Sequence, residues 1–129
     1  MPRAKQLTLS VADRPGMLGE IATALGEKKI NIVGLCAATQ GGGGMIWMVV
    51  DKPAAAKKVF AQHGWQASEE DVVAVTLSNS PGSLGRYASK LGKAGVNISF
   101  VYPGSAGSAR KLNAYFGVSD LKAALKVRA

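Results

Sequence analysis

Cysteine, histidine and aromatic residues are scarce in this chain, and acidic residues are outnumbered by basic ones. The 129 residues include one Cys, one His and 6% aromatic residues, with 16 Lys and Arg against eight Asp and Glu. A lone Cys36 excludes an internal disulfide framework. A single His63, with no carboxylate cluster inside a motif, provides neither a metal site nor a general base with a partner. We therefore predict a protein that is not an enzyme and has no cofactor and no metal.

Long apolar runs are also missing. No run reaches the ~18 residues that a membrane-spanning helix requires, and the segment from Met1 to Gln6 lacks the apolar stretch of a signal peptide. We therefore expect a cytoplasmic protein with no membrane partner. Hydrophobic residues still make up 47% of the chain and charged residues 19%, which predicts a folded core rather than a disordered chain.

Two similar stretches lie 66 residues apart. The first runs from Asp13 to Ile32 and the second from Asn79 to Ile98, and each combines a Pro-Gly turn, an apolar stripe at helical spacing and a final Asn-Ile. A period of this length corresponds to a whole supersecondary unit, so we predict two repeats, residues 1–70 and 71–129, packed together as one unit. Nine positions of the first stretch are identical in the second: Pro15, Gly16, Leu18, Gly19, Ala22, Leu25, Gly26, Asn31 and Ile32.

Each repeat has the pattern strand, helix, strand, strand, helix. This order predicts an α+β fold of two ferredoxin-like βαββαβ repeats, with antiparallel sheets and helices on one face. We expect Gly26 and Gly92 to end the first helix of each repeat. Glycines 41–44 open a strand with no Gly-Lys-Ser/Thr after them, which indicates a hairpin turn rather than a phosphate loop. Residues 65–68 can supply a fourth strand to the first repeat, residues 72–77 begin the second repeat, and the second repeat lacks its last strand.

The strand from Met45 to Val50 has no polar residue. Helices cover one face of a small sheet, so the other face of this strand also needs cover. The apolar strand therefore predicts tight association of the two halves and a homodimer.

These features resemble the ACT domain family, small βαββαβ modules that bind amino acids and regulate metabolism. The resemblance rests on the Asp/Asn-x-Pro-Gly-x-Leu entry into the helix, the apolar helix stripe and the Ile/Val-Asn-Ile start of the next strand, which both copies contain. It implies a tandem, non-catalytic, allosteric regulator, similar to amino-acid-binding regulators of the glycine cleavage repressor type. ACT modules commonly associate side by side, with the effector at the seam between one Pro-Gly loop and the Asn strand of a neighbour. The implied partners are a small amino acid and a regulated enzyme or transcription factor.

Both Pro-Gly loops are therefore predicted ligand sites. Free N–H groups of Gly16, Met17 and Leu18 at a helix start attract a carboxylate, the Asp13 carboxylate can accept a hydrogen bond from an α-ammonium group, and the Asn31 amide suits a zwitterion. Because Asn79 replaces Asp13, we expect a weaker ammonium site in the second copy. The predicted ligand-binding residues are Asp13, Arg14, Pro15, Gly16, Met17, Leu18 and Asn31, with Asn79, Pro81, Gly82, Ser83, Leu84 and Asn97 in the second copy.

Other roles fit the same residues. Asp13 and Asn79 have the side chains of helix caps, and the two Asn strands can be tied to their turns. A net charge of +8 and a topology that RNA-recognition folds share also allow a basic nucleic-acid-binding protein. Trp47, Tyr115 and Phe116 lack the glycine-aromatic signature for base stacking, however, and core packing explains them better. A dimerisation module that has lost its ligand is the third possibility.

Overall fold

The computed structural model describes residues 3–129, which confirm the predicted α+β fold. The described residues form two compact units: a first unit, Lys5–Glu70, and a second unit that combines Asp71–Ala129 with Arg3 and Ala4. The elements in chain order are β1 (Arg3–Val11), α1 (Met17–Glu27), β2 (Ile32–Gln40), β3 (Gly43–Val50), α2 (Pro53–Gln62), β4 (Gln66–Ser78), α3 (Ser83–Lys93), β5 (Ile98–Gly104), β6 (Lys111–Val118) and α4 (Leu121–Leu125).

In the first unit, β1 and β2 both pair with β3 in antiparallel orientation. The two strands therefore run parallel to each other and end at the same edge of the sheet, where Val11 and Thr39 both lie opposite Gly44. The inward side chains of these strands pack against α1 and α2 in one buried cluster. Its fully buried members include Leu7, Leu9, Ile21, Leu25, Met48 and Phe60.

The second unit has the same element order on a core of its own. Strand β6 pairs in antiparallel orientation with both β4 and β5. Tyr87 of α3 meets Phe116 of β6 edge to face, with ring centroids 5.3 Å apart, and Leu91 and Ala124 are buried in the same cluster. Edge-to-face contact is a favourable arrangement for two aromatic rings, so this pair anchors α3 on the sheet.

Residues 65–68 and 72–77, which were expected to serve the first and the second repeat, meet in one continuous strand of 13 residues, β4. In its acidic centre, the carboxylates of Glu69 and Asp71 pair with basic side chains, and Glu70 accepts hydrogen bonds from Gln6 and Thr8. Lys57 Nζ lies 2.9 Å and Lys5 Nζ 3.6 Å from Glu69, and Arg3 Nη1 lies 3.4 Å from Asp71 Oδ2. Arg3 and Ala4, at the start of β1, belong to the second unit. Within the described residues, the segment from Asp71 onward has no strand after α4, so these two residues contribute strand structure from elsewhere in the chain.

The glycines at the predicted helix ends have a different role from the one expected. Gly26 and Gly92 lie inside α1 and α3. The left-handed residues that reverse the chain come three positions later, at Lys29 (φ 59°) and Gly95 (φ 76°). Ile30 N–H then donates to Leu25 O at 3.0 Å, and the corresponding bond in the second unit joins Val96 to Leu91 at 2.9 Å.

The hairpin prediction for glycines 41–44 is confirmed. Gln40 pairs with Gly43, and the two residues between them, Gly41 and Gly42, have φ of 60° and 83°. Two consecutive positive φ angles suit a tight two-residue hairpin, which explains the need for glycine. Among the described residues no helix combines the length and apolar character that crossing a bilayer demands.

Candidate functional site

The Pro-Gly motif builds the same turn in both units. Gly16 precedes α1 with φ 85°, and Gly82 precedes α3 with φ 87°. Met17 N–H donates to Arg14 O at 3.3 Å, and the equivalent bond of the second unit also measures 3.3 Å. A left-handed residue at this point favours glycine, so the conserved spacing of the repeat has a local structural cause.

Asp13 and Asn79 do not cap their helices in the structure. Neither α1 nor α3 has a side-chain cap hydrogen bond, and the residue in the cap position is the glycine. The Asp13 carboxylate instead accepts a hydrogen bond from Thr39 Oγ1 at 3.0 Å. This bond ties the loop after β1 to the end of β2 and fixes the orientation of the carboxylate.

A cavity of about 270 Å³ lies beside the first loop, within the first unit. It brings together four of the predicted residues, Asp13, Arg14, Met17 and Leu18, with the ends of β1 and β2 and the beginning of β3. Gly44 permits the close approach of β1, because a Cβ there would lie 3.3 Å from Val11 Cγ2. The lining residues that the sequence did not suggest are Val11, Ala12, Ala37, Ala38, Thr39, Gly44, Met45 and Ile46.

Charged groups of both signs stand at this cavity. Arg14 Nη2 lies 2.6 Å from Glu20 Oε2, and both side chains are about half exposed. An exposed ion pair of this kind contributes roughly 0–1 kcal/mol, so a ligand carboxylate can compete for the guanidinium at small cost. The backbone N–H of Leu18 is in the first turn of α1, where no carbonyl of the same helix can accept from it. The cavity thus offers donors for an anion and, in Asp13, an acceptor for a cation.

The Asn positions lie at the far end of the strand from the loop. Asn31 precedes β2, and Thr39 is eight residues further along, which corresponds to about 26 Å at ~3.3 Å per strand residue. Asn31 N–H donates to Asp51 Oδ1 at 2.9 Å, and Asn97 N–H donates to Ser119 Oγ at 2.9 Å. These bonds use main-chain atoms that every residue has, so they do not account for Asn at either position. Within one unit, therefore, the predicted Asn does not join the predicted loop.

The second loop uses its polar groups internally. Asn79 Nδ2 donates to Ala109 O at 2.9 Å, and Ser83 Oγ donates to Ser78 O. The Arg86 guanidinium covers the turn, because a Cβ on Gly82 would lie 2.9 Å from Arg86 Nη1. Pro81 and Leu84 are exposed beside it. The two copies therefore share a backbone turn and differ in the chemistry that surrounds it.

His63, Tyr115 and Phe116, which were considered for catalysis or base stacking, pack against other residues of the fold. His63 Nδ1 lies 2.9 Å from Val59 O, and its ring stacks on Trp65 with centroids 4.4 Å apart. Tyr115 and Phe116 are buried, and burial raises the pKa of Tyr115 while its hydrogen bond with Asn113 partly lowers it. Across residues 3–129, no group of three or more His, Cys, Asp or Glu is arranged to hold a metal.

Residues 5–63 match the ACT domain family, and this range lies inside the first unit. A crystal structure of protein BT0572 from Bacteroides thetaiotaomicron is similar to the chain, with a TM-score of 0.88 and 26% identity over 97% of this chain and 85% of that one. The regulatory subunit of aspartate kinase from Thermus thermophilus, in a ligand-free form, has the same fold at a TM-score of 0.68, with 17% identity over 97% and 89% of the two chains. No curated protein matches the chain in sequence.

Proposed function

Because residues 5–63 match the ACT domain family, we propose that this chain is a non-catalytic regulatory protein that binds a small amino acid in the cavity beside Asp13. ACT domains are regulatory modules that bind amino acids. The observation that carries the proposal is the cavity of about 270 Å³ where the Pro-Gly loop meets the end of β2. This volume falls just below the ~300–1,000 Å³ typical of pockets for drug-sized ligands, which suits a smaller ligand.

The groups at the cavity complement a zwitterion. The α-ammonium donates to Asp13, whose second oxygen remains within reach while Thr39 holds Oδ2 at 3.0 Å. The α-carboxylate takes the N–H of Leu18 at the positive end of α1, with Arg14 close by. A short ligand side chain rests on the apolar lining from Ala37, Ala38 and Met45. All of these groups belong to the first unit.

Asn31 takes part through a neighbouring module in this proposal. Its side chain is exposed at the start of β2, distant from the cavity of its own unit. A second copy that associates side by side can bring such an Asn amide to the ligand, where it both donates and accepts. We therefore propose a homodimer as the signalling form, with a regulated enzyme or transcription factor as the protein that reads its state. Light scattering on the eluting protein tests this, and a mass near 13.3 kDa at all concentrations would contradict it.

A thermal-shift screen of the twenty amino acids and related carboxylates tests ligand binding. A ligand at a hundredfold excess over its Kd stabilises the folded state by about 2.7 kcal/mol. The absence of a thermal shift with every compound at millimolar concentration would refute the amino-acid proposal and leave a dimerisation module. A response to RNA or DNA that weakens with salt, without any amino-acid response, would favour a nucleic-acid-binding protein.

Asp13→Asn tests the role of the charge in any hit from that screen. The amide oxygen can still accept from Thr39, and Asn is the residue that the second copy has at this position. Loss of a hydrogen bond to a charged group corresponds to roughly 1.5–3 kcal/mol, so affinity should fall about tenfold to a hundredfold. Glu27→Gln is the matched control, because it removes the same charge from an exposed position on α1 outside the cavity lining. Equal effects of the two changes would contradict a direct contact with Asp13.

A further inference from the structure

Positive charge is concentrated in one of the two units. The first unit contains seven Lys and Arg and six Asp and Glu, whereas the second unit contains nine Lys and Arg and two Asp and Glu. One of those two acids, Asp120, accepts the cap hydrogen bond of α4 from Ala123 N–H at 3.1 Å, and the other, Asp71, lies 3.4 Å from Arg3. The excess charge of the chain is therefore carried almost entirely by the second unit.

Helix α3 presents three of these nine basic residues as a single stripe. Arg86, Lys90 and Lys93 are exposed and spaced four and three residues apart, so they lie on one side of the helix. Lys90 Nζ donates to Arg128 O at 3.2 Å, which brings Arg128 next to the stripe. We call these four residues, Arg86, Lys90, Lys93 and Arg128, the basic face.

The fold does not require this charge. The positions of α1 that correspond to Arg86, Lys90 and Lys93 are Glu20, Ala24 and Glu27, so the same helix in the first unit has the opposite sign. Lys90 and Lys93 lie in the last turn of α3, where the helix dipole favours a cation. Arg86 lies near the first turn, where the dipole disfavours one. The helix dipole therefore favours Lys90 and Lys93 but not Arg86, whose guanidinium lies over the turn at Gly82.

A partly apolar groove of about 460 Å³ runs beside the basic face, within the second unit. Val75, Leu125 and Val127 are half-buried and contribute apolar surface to it, and Arg128 belongs to both the groove and the basic face. A phosphate backbone has no apolar groups to place in such a groove. Base stacking is poorly served, because Tyr87, Tyr102, Tyr115 and Phe116 are buried and the half-buried Phe100 ring lies over Gly117.

From this charge and this groove, we infer that the basic face and the adjoining groove bind an acidic, partly apolar segment of a partner protein. Its carboxylates pair with Arg86, Lys90, Lys93 and Arg128, and its apolar side chains enter the groove against Val75 and Leu125. Charge complementarity accelerates such an encounter and orients the segment, while the apolar contacts slow its release. The inference adds to the proposed function the surface on which a partner docks, and it does not depend on which amino acid binds.

The test is fluorescence polarisation with a short labelled peptide of repeating Glu-Glu-Leu, measured on the full chain without any amino acid present. The triple variant Arg86→Glu, Lys90→Ala, Lys93→Glu gives α3 the residues of α1 at these positions. We expect it to weaken binding by at least about tenfold, since three favourable pairs become neutral or repulsive. The control variant Lys28→Glu, Lys58→Glu, Arg110→Ala changes the net charge by the same amount at exposed positions that are not part of the basic face. It should weaken binding by less than about threefold, because it leaves all four residues of the basic face in place.

Two further probes examine the groove and the class of partner without altering the protein. A peptide with Ser in place of every Leu has the same charge and should bind more weakly, because it cannot fill the groove. A single-stranded oligothymidine of equal charge should bind no better than that Ser peptide. Equal weakening by both triple variants, equal affinity of the Leu and Ser peptides, absence of peptide binding at low salt, or tighter binding of the oligonucleotide would each overturn the inference. Because no amino acid is present in these measurements, their outcomes can be distinguished from a thermal-shift screen in which no amino acid binds.

Discussion

Lys29 occupies a backbone conformation that its counterpart fills with glycine. Its φ is 59°, while Gly95 at the equivalent position of the second unit has φ 76°. A residue with a Cβ pays roughly 1–2 kcal/mol to adopt the left-handed region. We therefore expect Lys29→Gly to raise the free energy of unfolding by about 0.5–1 kcal/mol, once the extra chain entropy of glycine is subtracted. The hydrogen bond from Lys52 Nζ to Lys29 O survives, since it uses the main chain.

Chemical denaturation measures this difference, and the reciprocal change provides the control. Gly95→Ala should destabilise by a similar amount, because it introduces a Cβ where the chain is left-handed and nothing crowds the site within 4 Å. If both changes destabilise, the strain assigned to Lys29 is absent.

Glu69 has a pKa below its usual value of 4.5, chiefly because of its hydrogen bond with Lys57, with further contributions from the charges of Lys57 and Lys5. A carboxyl group whose pKa is lowered by folding stabilises the protein above its unfolded pKa. That contribution disappears as the pH falls through the folded pKa. We expect Lys57→Met to raise the Glu69 pKa toward 4.5 and to make stability less dependent on pH just below that value.

Carbon-detected NMR titration of the Glu69 carboxyl follows the change directly. Lys58→Met is the matched control, because Lys58 is an exposed neighbour on α2 with no bond to Glu69 in the structure. An unchanged Glu69 pKa in Lys57→Met, or an equal shift in Lys58→Met, would show that the pair does not lower it.

At the scale of strands, both units have one large residue and one glycine at the same cross-strand pair, but the strand that carries the glycine differs between them. Gly34 of β2 lies opposite Val49 of β3, whereas Phe100 of β5 lies opposite Gly117 of β6. An irregularity in register directly precedes both pairs. The Phe100 ring lies over Gly117 so closely that a Cβ on residue 117 would come within 2.1 Å of Phe100 Cε2. Each unit therefore has one large side chain at this pair, from β3 in the first unit and from β5 in the second.

Gly117→Ala should lower the free energy of unfolding by about 1–3 kcal/mol, since the ring must move to admit the methyl group. In a Phe100→Ala background the same change should cost far less, because the ring is gone. A double-mutant cycle by urea denaturation gives the coupling between the two. Gly43→Ala is the control, as a Cβ there meets only ordinary contacts of 3.9 Å in the first unit. A coupling near zero would contradict the close contact between the Phe100 ring and residue 117.

Sequence alone predicted the elements and the loops well where local chemistry decides them. The Pro-Gly turns and the hairpin at Gly41 and Gly42 follow from residues that must adopt positive φ. The left-handed residue of α1 was misplaced at Gly26, because its position depends on burying Ile30, which is 4% exposed, against the preceding helix. Thr39 was missed for a similar reason. Its contact with Asp13 depends on β1 and β2 ending at one sheet edge, which is a matter of strand pairing rather than of any motif.

At the scale of the whole chain, the repeat was expected to provide two related ligand sites, and the structure gives them unequal chemistry. The first loop has a carboxylate held by Thr39 at the rim of a cavity, together with the Arg14 and Glu20 pair. In the second loop, the side chains of Asn79 and Ser83 donate hydrogen bonds to main-chain carbonyls. Both units therefore have the same turn, and the first combines it with a cavity and an oriented carboxylate.

This asymmetry predicts one amino acid per chain. An ammonium group is best accepted by a carboxylate, and the second loop has instead the neutral amide of Asn79, whose Nδ2 donates to Ala109 O, with the Arg86 guanidinium over the turn. A cation there would meet a positive group instead of a carboxylate, which disfavours binding. Calorimetric titration with the amino acid identified by the screen should therefore give a stoichiometry near one per chain, and Asp13→Asn should remove most of the heat. Two equivalent sites per chain would show that the second loop also binds, and one site per two chains would contradict a site in the first unit of every chain.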